Sequence, residues 1–353
     1  MTSLKSEILI DANILRKNIK TIKNKLQKKS KFMAVIKSDA YGHNLSSIVK
    51  DIDDLVDGYG VVRIEEALEI RKQSNKKVLL MQGVYSKEEY ILSKNQKLDL
   101  VIHNNNQFNL IKDEGNHEMF WYKVNTGMNR LGFEIPDFIK IYEKYLTEKQ
   151  FTIMSHLASS NDKDNPANES QFKSFNDLSN KLNKNILKSI ANTGCIMNFP
   201  EFSMDWVRCG IGIYGGYLKD DQLKTAMTLR SPIINIRSIK KGDKVGYDGR
   251  AVAKNDMKIA SVYLGYADGL PVTIKDGTSV MVNDQIAKVF GKVSMDLTTI
   301  DVTNILNCST SDWCEFFSPK LPISNISKSN DLITYYFMTN IKSRVKKVYK
   351  SID

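Results

Sequence analysis

Up to about residue 220, short apolar runs alternate with longer stretches in which apolar residues recur every three or four positions. "ILRKNIKTIKNKLQKK" carries Ile or Leu at 14, 15, 19, 22 and 26, the spacing of one helical face. "KFMAVIK" follows, an apolar run between two lysines with the length and type of a buried strand. The alternation then repeats. "LSSIVKDI", "RIEEALEIRKQ" and "SKEEYILSKN" read as helices, while "GYGVV", "KKVLLMQG", "LDLVIHN", "MFWYKVNTG", "FTIMSHLA", "LKSIANTG" and "WVRCGIGIYG" read as strands and the turns that end them. Counted from "KFMAVIK", the β runs number eight. Repeated βα units predict a parallel sheet with helices outside, and eight of them predict a (β/α)₈ barrel.

After Leu223 the texture changes. "AMTLRSPIINIRSIKKGDKVGYDG", "KIASVYLGYADG" and "SVMVNDQIAKVFGKVSMDLTTIDVT" show apolar alternation with Gly and Asp turns and little helical periodicity, which predicts a mostly antiparallel β domain. The expected organisation is an N-terminal strand over 1–10 joining that β domain, a barrel over 11–223, and the β domain over 224–353.

Composition narrows the function classes. The net charge is +11, yet the basic residues are mostly Lys and spread along the chain, and a nucleic-acid footprint needs clustering. No apolar run approaches the ~20 residues that span a bilayer. The N-terminal segment has neither the apolar core nor the cleavage site of a signal peptide. Cys195, Cys209, Cys308 and Cys314 have no metal-ligand spacing, and thiols this sparse fit a reducing compartment. His43, His103, His117 and His156 are too few and scattered for a zinc site. The expectation is a cytoplasmic protein without metal, membrane or nucleic-acid partners.

Active sites of (β/α)₈ barrels lie at the C-terminal ends of the strands. Polar residues there are Lys37 and Tyr41, Lys123 through Arg130 in "KVNTGMNRLG", His156, Asn192 and Thr193 in "IANTG", and Arg208 with Gly210 in "VRCGIGIYG". Each has a bland reading alone. Lys37 can be a solvated strand end, His156 a core histidine, Asn192-Thr193-Gly194 a turn, and Arg208 a surface cation. A lysine at the mouth of an apolar core can instead lose hydration, so that its pKa falls and the amine becomes a nucleophile. Together these residues converge on one barrel mouth. "ANTG" and "RCGIG" offer backbone N–H groups and a hydroxyl suited to a phosphate. A nucleophilic lysine beside such a cradle points to a phosphorylated aldehyde, pyridoxal phosphate.

In this setting "MAVIKSDAYGHN", "YKVNTGMNRLGF", "SHLASSND", "IANTG", "VRCGIGIYG", "YLGYADGLP" and "GKVSMDLTTIDV" resemble, in order, the motifs of the alanine racemase family of fold-type-III pyridoxal-phosphate enzymes. The resemblance implies interconversion of L- and D-alanine, with D-alanine going to cell-wall peptidoglycan. It makes Lys37 the residue that carries the cofactor, and Lys37 and Tyr266 the two proton carriers on opposite faces of the substrate. Tyr41, Asn192, Thr193, Gly210 and Ile211 become cofactor ligands. Arg208 pairs with the pyridine nitrogen, and His156 with Arg208 forms a relay that favours the Tyr266 phenolate. Arg130 contacts the substrate carboxylate and is fixed by a carbamylated Lys123, while Met295, Asp296 and Ser343 line the substrate space. It also implies a homodimer in which Tyr266 and the Met-Asp segment enter the partner's site. This chain departs from the family at Asn125 (Asp), Asn129 (Gly), Ser189 (His), Thr193 (Ser) and Ser343 (Tyr). The last opens the alternative of a serine or broader-specificity racemase. Two further rivals stand beside it. A single-barrel pyridoxal-phosphate-binding protein without turnover lacks a β domain and any residue like Tyr266. A fold-type-III decarboxylase is usually longer and bears a cysteine-based motif in its second domain that is not found in this sequence.

Overall fold

A computed structural model describes residues 5–27 and 29–352; residues 1–4 of the expected N-terminal strand lie outside them. The chain divides into two compact units, one of residues 16–40 and 44–213, the other of the chain up to Leu15, Tyr41–His43 and everything from Tyr214 onward.

Strand β1 (Glu7–Asp11) belongs to the second unit. The next eight, β2 (Lys31–Val35), β3 (Gly58–Val61), β4 (Lys77–Leu80), β5 (Asp99–Ile102), β6 (Phe120–Lys123), β7 (Thr152–Met154), β8 (Leu187–Ser189) and β9 (Trp206–Cys209), form one sheet in the order β8-β7-β6-β5-β4-β3-β2-β9. Every pairing in it is parallel. Its ends meet where Asp205 N donates to Lys188 O (3.2 Å) and Arg208 N to Ala191 O (2.9 Å), which closes the barrel. Local capping marks where helices begin: Ser86 Oγ accepts from Glu89 N at 3.1 Å and Asn104 Oδ1 from Gln107 N at 3.0 Å.

Met33, Leu79, Val101, Trp121, Met154 and Trp206 pack together inside the barrel. Each buried apolar side chain of this kind contributes about 1.5–3 kcal/mol. Side chains alternate faces along a strand, so the next inward positions toward the C-terminal mouth are two residues on. Those positions hold Val35 and Met81 on one side and His103, Lys123, His156 and Arg208 on the other strands. The sequence thus lays a polar, cationic layer on an apolar floor.

In the second unit the long strand β10 (Met227–Ile239) pairs antiparallel with β1, with Met257–Val262 and with Trp313–Phe317. The C-terminal strand Lys346–Lys350 joins β1 in parallel. The "mostly antiparallel β" expectation holds, with one addition: helices over Ile323–Ser329 and Thr334–Thr339. Their buried residues, Ile323, Ile326 and Ser327, then Thr334, Phe337 and Met338, recur at i, i+3, i+4. That is helical spacing in segments too short to stand out from the surrounding alternation. Among the described residues no helix is long and apolar enough to cross a membrane, and no group of His, Cys, Asp and Glu could hold a metal ion.

Candidate active site

Past β2 the chain does not simply bend. Ser38, Asp39, Ala40 and Tyr41 have φ of 55°, 53°, 52° and 54°, one turn of left-handed helix. For residues with a Cβ this costs roughly 1–2 kcal/mol each, so something must hold it. Glu66 does. Its Oε1 accepts from Ser38 N at 2.6 Å, and its Oε2 from Val62 N and Arg63 N, both at 3.2 Å. Asp39 Oδ1 accepts from Leu45 N at 2.8 Å. Lys37, at the start of the turn, is half-buried. Burial lowers its pKa and Arg130 lowers it further, while Glu66 opposes both. It is therefore not a freely solvated strand end. Glu66→Ala should cost about 2 kcal/mol, because charge-assisted bonds to backbone N–H groups are among the stronger ones; Glu66→Gln, which keeps an acceptor, should cost less. Urea unfolding of the two variants checks this, and equal stability of all three proteins would mean the turn is held by something else.

In the inward layer, Arg208 is 2% exposed. Its Nη1 donates to Ser189 Oγ at 2.5 Å, and its Nη2 to Ser155 O at 2.6 Å and His156 Nδ1 at 3.4 Å. Ser189 Oγ in turn donates to Trp206 O at 2.8 Å, which leaves its lone pairs facing the guanidinium. Arg208 Nε has no partner. Burial brings its pKa down to about 10, still cationic at neutral pH. Burial, then Arg208, holds His156 well below the ordinary histidine range. With Nδ1 accepting from Arg208, its proton sits on Nε2. Lys123 is 7% exposed, and its pKa falls to about 8 through burial, then through Arg208, Arg130 and Lys37. Lys37, Lys123, Arg130 and Arg208 thus act on one another. Among the described residues Glu66 is the acid that acts on Lys37, while the shift of Lys123 has no acid among its causes. Such a layer calls for an anion.

Beside it, Asn192 Oδ1 caps the short helix Thr193–Asn198 by accepting from Cys195 N at 3.1 Å. Thr193 Oγ1 accepts long bonds from Gly210 N (3.3 Å) and Gly212 N (3.4 Å). A Cβ on Gly194 would press on Asn161 and on Ser160 Oγ, and one on Gly212 would lie 2.8 Å from Thr193 Cγ2. Asn125 and Asn129 fit their turn: Asn125 Nδ2 donates to Asn129 Oδ1 at 2.8 Å, and Asn129 takes φ 55°, which asparagine tolerates.

The second unit gathers a different set. Tyr266 N donates to Ser294 O (3.0 Å) and Ala267 N to Met295 O (2.9 Å), which sets the Tyr266 turn against the Met295-Asp296 loop. Gly265 allows this, since a Cβ there would collide with the Ser294 and Met295 carbonyls. Arg344 ties the two loops, with Nε 2.9 Å from Asp268 and Nη2 2.7 Å from Asp296. Ser343 precedes it, exposed. Tyr266 and Met295 are 40% and 53% exposed, an open surface for large side chains. In this unit Tyr41 stacks on Tyr214 (centroids 4.7 Å apart), with Tyr335 5.7 Å away.

The predicted residues therefore assemble in two groups: Lys37, Lys123, Arg130, His156, Asn192, Thr193, Arg208, Gly210 and Ile211 in the barrel unit, and Tyr41, Tyr266, Met295, Asp296 and Ser343 in the other. The sequence assigns no site role to Glu66, Arg344 or His103, and marks Ser189 only as a departure from the family. Only His103 had a usable signal, its even spacing from Val101 along an inward-facing strand.

Two family profiles cover almost all of the chain: "Alanine racemase, N-terminal domain" over residues 10–218 and "Alanine racemase, C-terminal domain" over 226–349. An alanine racemase of Alteromonas mediterranea is 34% identical over 358 residues, 99% of each chain. Among solved structures, that of alanine racemase from Acinetobacter baumannii superposes with a TM-score of 0.93 at 29% identity, covering 99% of this chain and 100% of that one. The alanine racemase from Bartonella henselae, solved with covalently bound pyridoxal phosphate, reaches 0.87 at 26% identity over 99% of this chain and all of that one.

Proposed function

The chain belongs to the alanine racemase family, and on that footing we propose that it interconverts L- and D-alanine with pyridoxal 5'-phosphate, supplying D-alanine for peptidoglycan from the cytoplasm. The observation that carries the cofactor is Arg208: a buried guanidinium whose Nε–H lacks an acceptor suits a pyridine nitrogen. The tight glycines and long amide bonds around Thr193 suit a phosphate. When bound, the cofactor supplies an electron-withdrawing ring that acidifies the substrate Cα–H.

The chain's residues do the rest. Lys37, with its lowered pKa, offers an amine that holds the cofactor's aldehyde carbon and carries the Cα proton on one face. Tyr266 of a second copy of the chain carries it on the other. Arg208 keeps its own proton, so it orients the ring without protonating it. Asn192, Thr193, Gly210 and Ile211 bind the phosphate, and the resemblance adds Tyr41. Lys123 has a pKa near that of the surroundings, about 8, so its neutral amine can react with carbon dioxide. The resulting carbamate fixes Arg130, which binds the substrate carboxylate. Met295 and Asp296 line the substrate space.

Ser343 favours a second reading. The exposed serine stands where the family has a tyrosine, and a site that excludes by volume loses discrimination when the excluding ring is absent. One experiment separates the readings: circular-dichroism assays on both enantiomers of alanine and serine, for the natural protein and Ser343→Tyr. Alanine turnover in both, with serine turnover falling at least about tenfold in Ser343→Tyr, is the broad-specificity outcome. Alanine strongly preferred by both leaves alanine alone, and no turnover of any amino acid sinks the racemase reading.

A further inference from the structure

His103 is the buried titratable group at the barrel mouth that the proposed chemistry does not use. It is 7% exposed and lies one step beyond the register pair Ile102–Tyr122 of the adjacent parallel strands β5 and β6. The residue opposite it is therefore Lys123, and both sit two positions on from inward-facing residues, Val101 and Trp121. Lys123 acts electrostatically on the ring, disfavouring its protonation after burial has done so first.

The tautomer follows from a neighbouring helix cap. Asn104 Oδ1 accepts from Gln107 N at 3.0 Å, which fixes the amide with its Nδ2 as donor. That Nδ2 lies 3.3 Å from His103 Nδ1, so Nδ1 accepts and the imidazole proton is on Nε2. Gln107 Oε1 also accepts from His103 N at 3.0 Å, holding the strand end in place. Nε2 itself is buried without a hydrogen-bond partner. The Gln82 carbonyl lies near enough to favour the protonated ring slightly. It already accepts from Gln107 Nε2 at 2.8 Å, and makes no hydrogen bond with His103 Nε2. An ammonium on Lys123 cannot satisfy this donor, because it has no lone pair to offer. A buried N–H without an acceptor, at the register position opposite a buried amine, is a demand that an anionic acceptor carried by that amine would meet.

We propose that His103 is a positioning residue for Lys123, its Nε2–H donating to an oxygen of the Lys123 carbamate and so orienting that group. This rests on the carbamate assigned under the function above. The modification balances simply: the Nζ lone pair of neutral Lys123 forms an N–C bond to carbon dioxide, a C=O π pair moves onto oxygen, and one nitrogen proton leaves to solvent. The product is an anion with acceptor oxygens, opposite His103 and within the fields of the Arg208 and Arg130 charges that act on Lys123. The histidine thereby raises the affinity of Lys123 for carbon dioxide without touching the substrate.

Carbon-13 NMR of the holoenzyme titrated with labelled bicarbonate tests this. His103→Leu should raise the bicarbonate needed for half-maximal carbamate signal about tenfold or more, the loss of one charge-assisted bond. His103→Gln, which retains an N–H near the Nε2 position, should stay within about threefold of the natural protein. In the unmutated protein, nitrogen-15-labelled histidine should show the His103 Nε2 signal shift as the carbamate forms, a measurement that stands even if His103→Leu does not fold. A carbamate signal equally strong in natural protein and His103→Leu, or an Nε2 signal that bicarbonate does not move, overturns the positioning role alone. Absence of any carbamate in the natural protein removes the modification itself and this inference with it.

Discussion

Lys37→Ala is expected to lower racemisation by more than about 10⁴-fold, because one substitution removes both the group that holds the cofactor and one of two proton carriers. The protein should nevertheless fold. The pKa of Lys37 is lowered in the fold, chiefly by burial, so the native state disfavours its charge, and truncation relieves that strain. By linkage, this unfavourable contribution is fully present below the folded pKa and fades as pH rises toward the unfolded value. Lys37→Ala should accordingly unfold at a urea concentration equal to or above that of the natural protein near neutral pH, with the gap closing at alkaline pH. Borohydride treatment of the natural holoenzyme should fix the cofactor to the single peptide containing Lys37. A cofactor adduct on Lys123 or any other lysine, or an active Lys37→Ala, would overturn the assignment.

The barrel was legible because its strands are apolar runs cut off by polar turn residues, each too short and too separated to be read as anything but repeated βα units. The gathering of Lys123, His156 and Arg208 at the strand ends was legible for the same reason, since they close apolar runs. That they point inward was not, because a surface cation and a core histidine read the same in sequence. The left-handed turn after Lys37 was not. Ser38, Asp39 and Ala40 give no composition signal for four successive positive φ angles, and the residue that holds the turn, Glu66, comes from a different βα unit. Long-range support of this kind has no local trace. Arg344 is similar: in sequence it is one more basic residue in "SRVKKVY", and only the fold brings Asp268 and Asp296 to it. Ser189 was noticed as a departure from the family, yet its role as acceptor for Arg208 depended on strands β8 and β9 meeting at the barrel seam. The short helices near the C-terminus were lost to a window effect, since one or two turns carry too few periods to outweigh nearby alternation.

Tyr266→Phe should cut turnover by about 10²–10⁴-fold, the range for losing a positioned general acid or base, while leaving the cofactor's absorption spectrum unchanged. The fold should not suffer, because Tyr266 is 40% exposed and its ring remains. Since the phenol would serve one face of the substrate, deuterium uptake from solvent should become unequal between reactions started from L- and D-alanine. Whether the phenol acts across a dimer can be decided by mixing. Chains carrying Lys37→Ala and chains carrying Tyr266→Phe should each keep about a hundredth or less of natural activity as homodimers. If each site takes its lysine from one copy and its tyrosine from the other, a heterodimer has one site with both groups intact and one with neither. Random exchange in equal amounts makes about half the dimers mixed, so the mixture should recover about a quarter of natural activity. Recovery should grow with time on refolding the two together and be absent when they are combined under conditions that prevent exchange. A co-refolded mixture no more active than the sum of its parts would mean that Tyr266 and Lys37 of the same chain work together, and the shared-site reading would have to be given up.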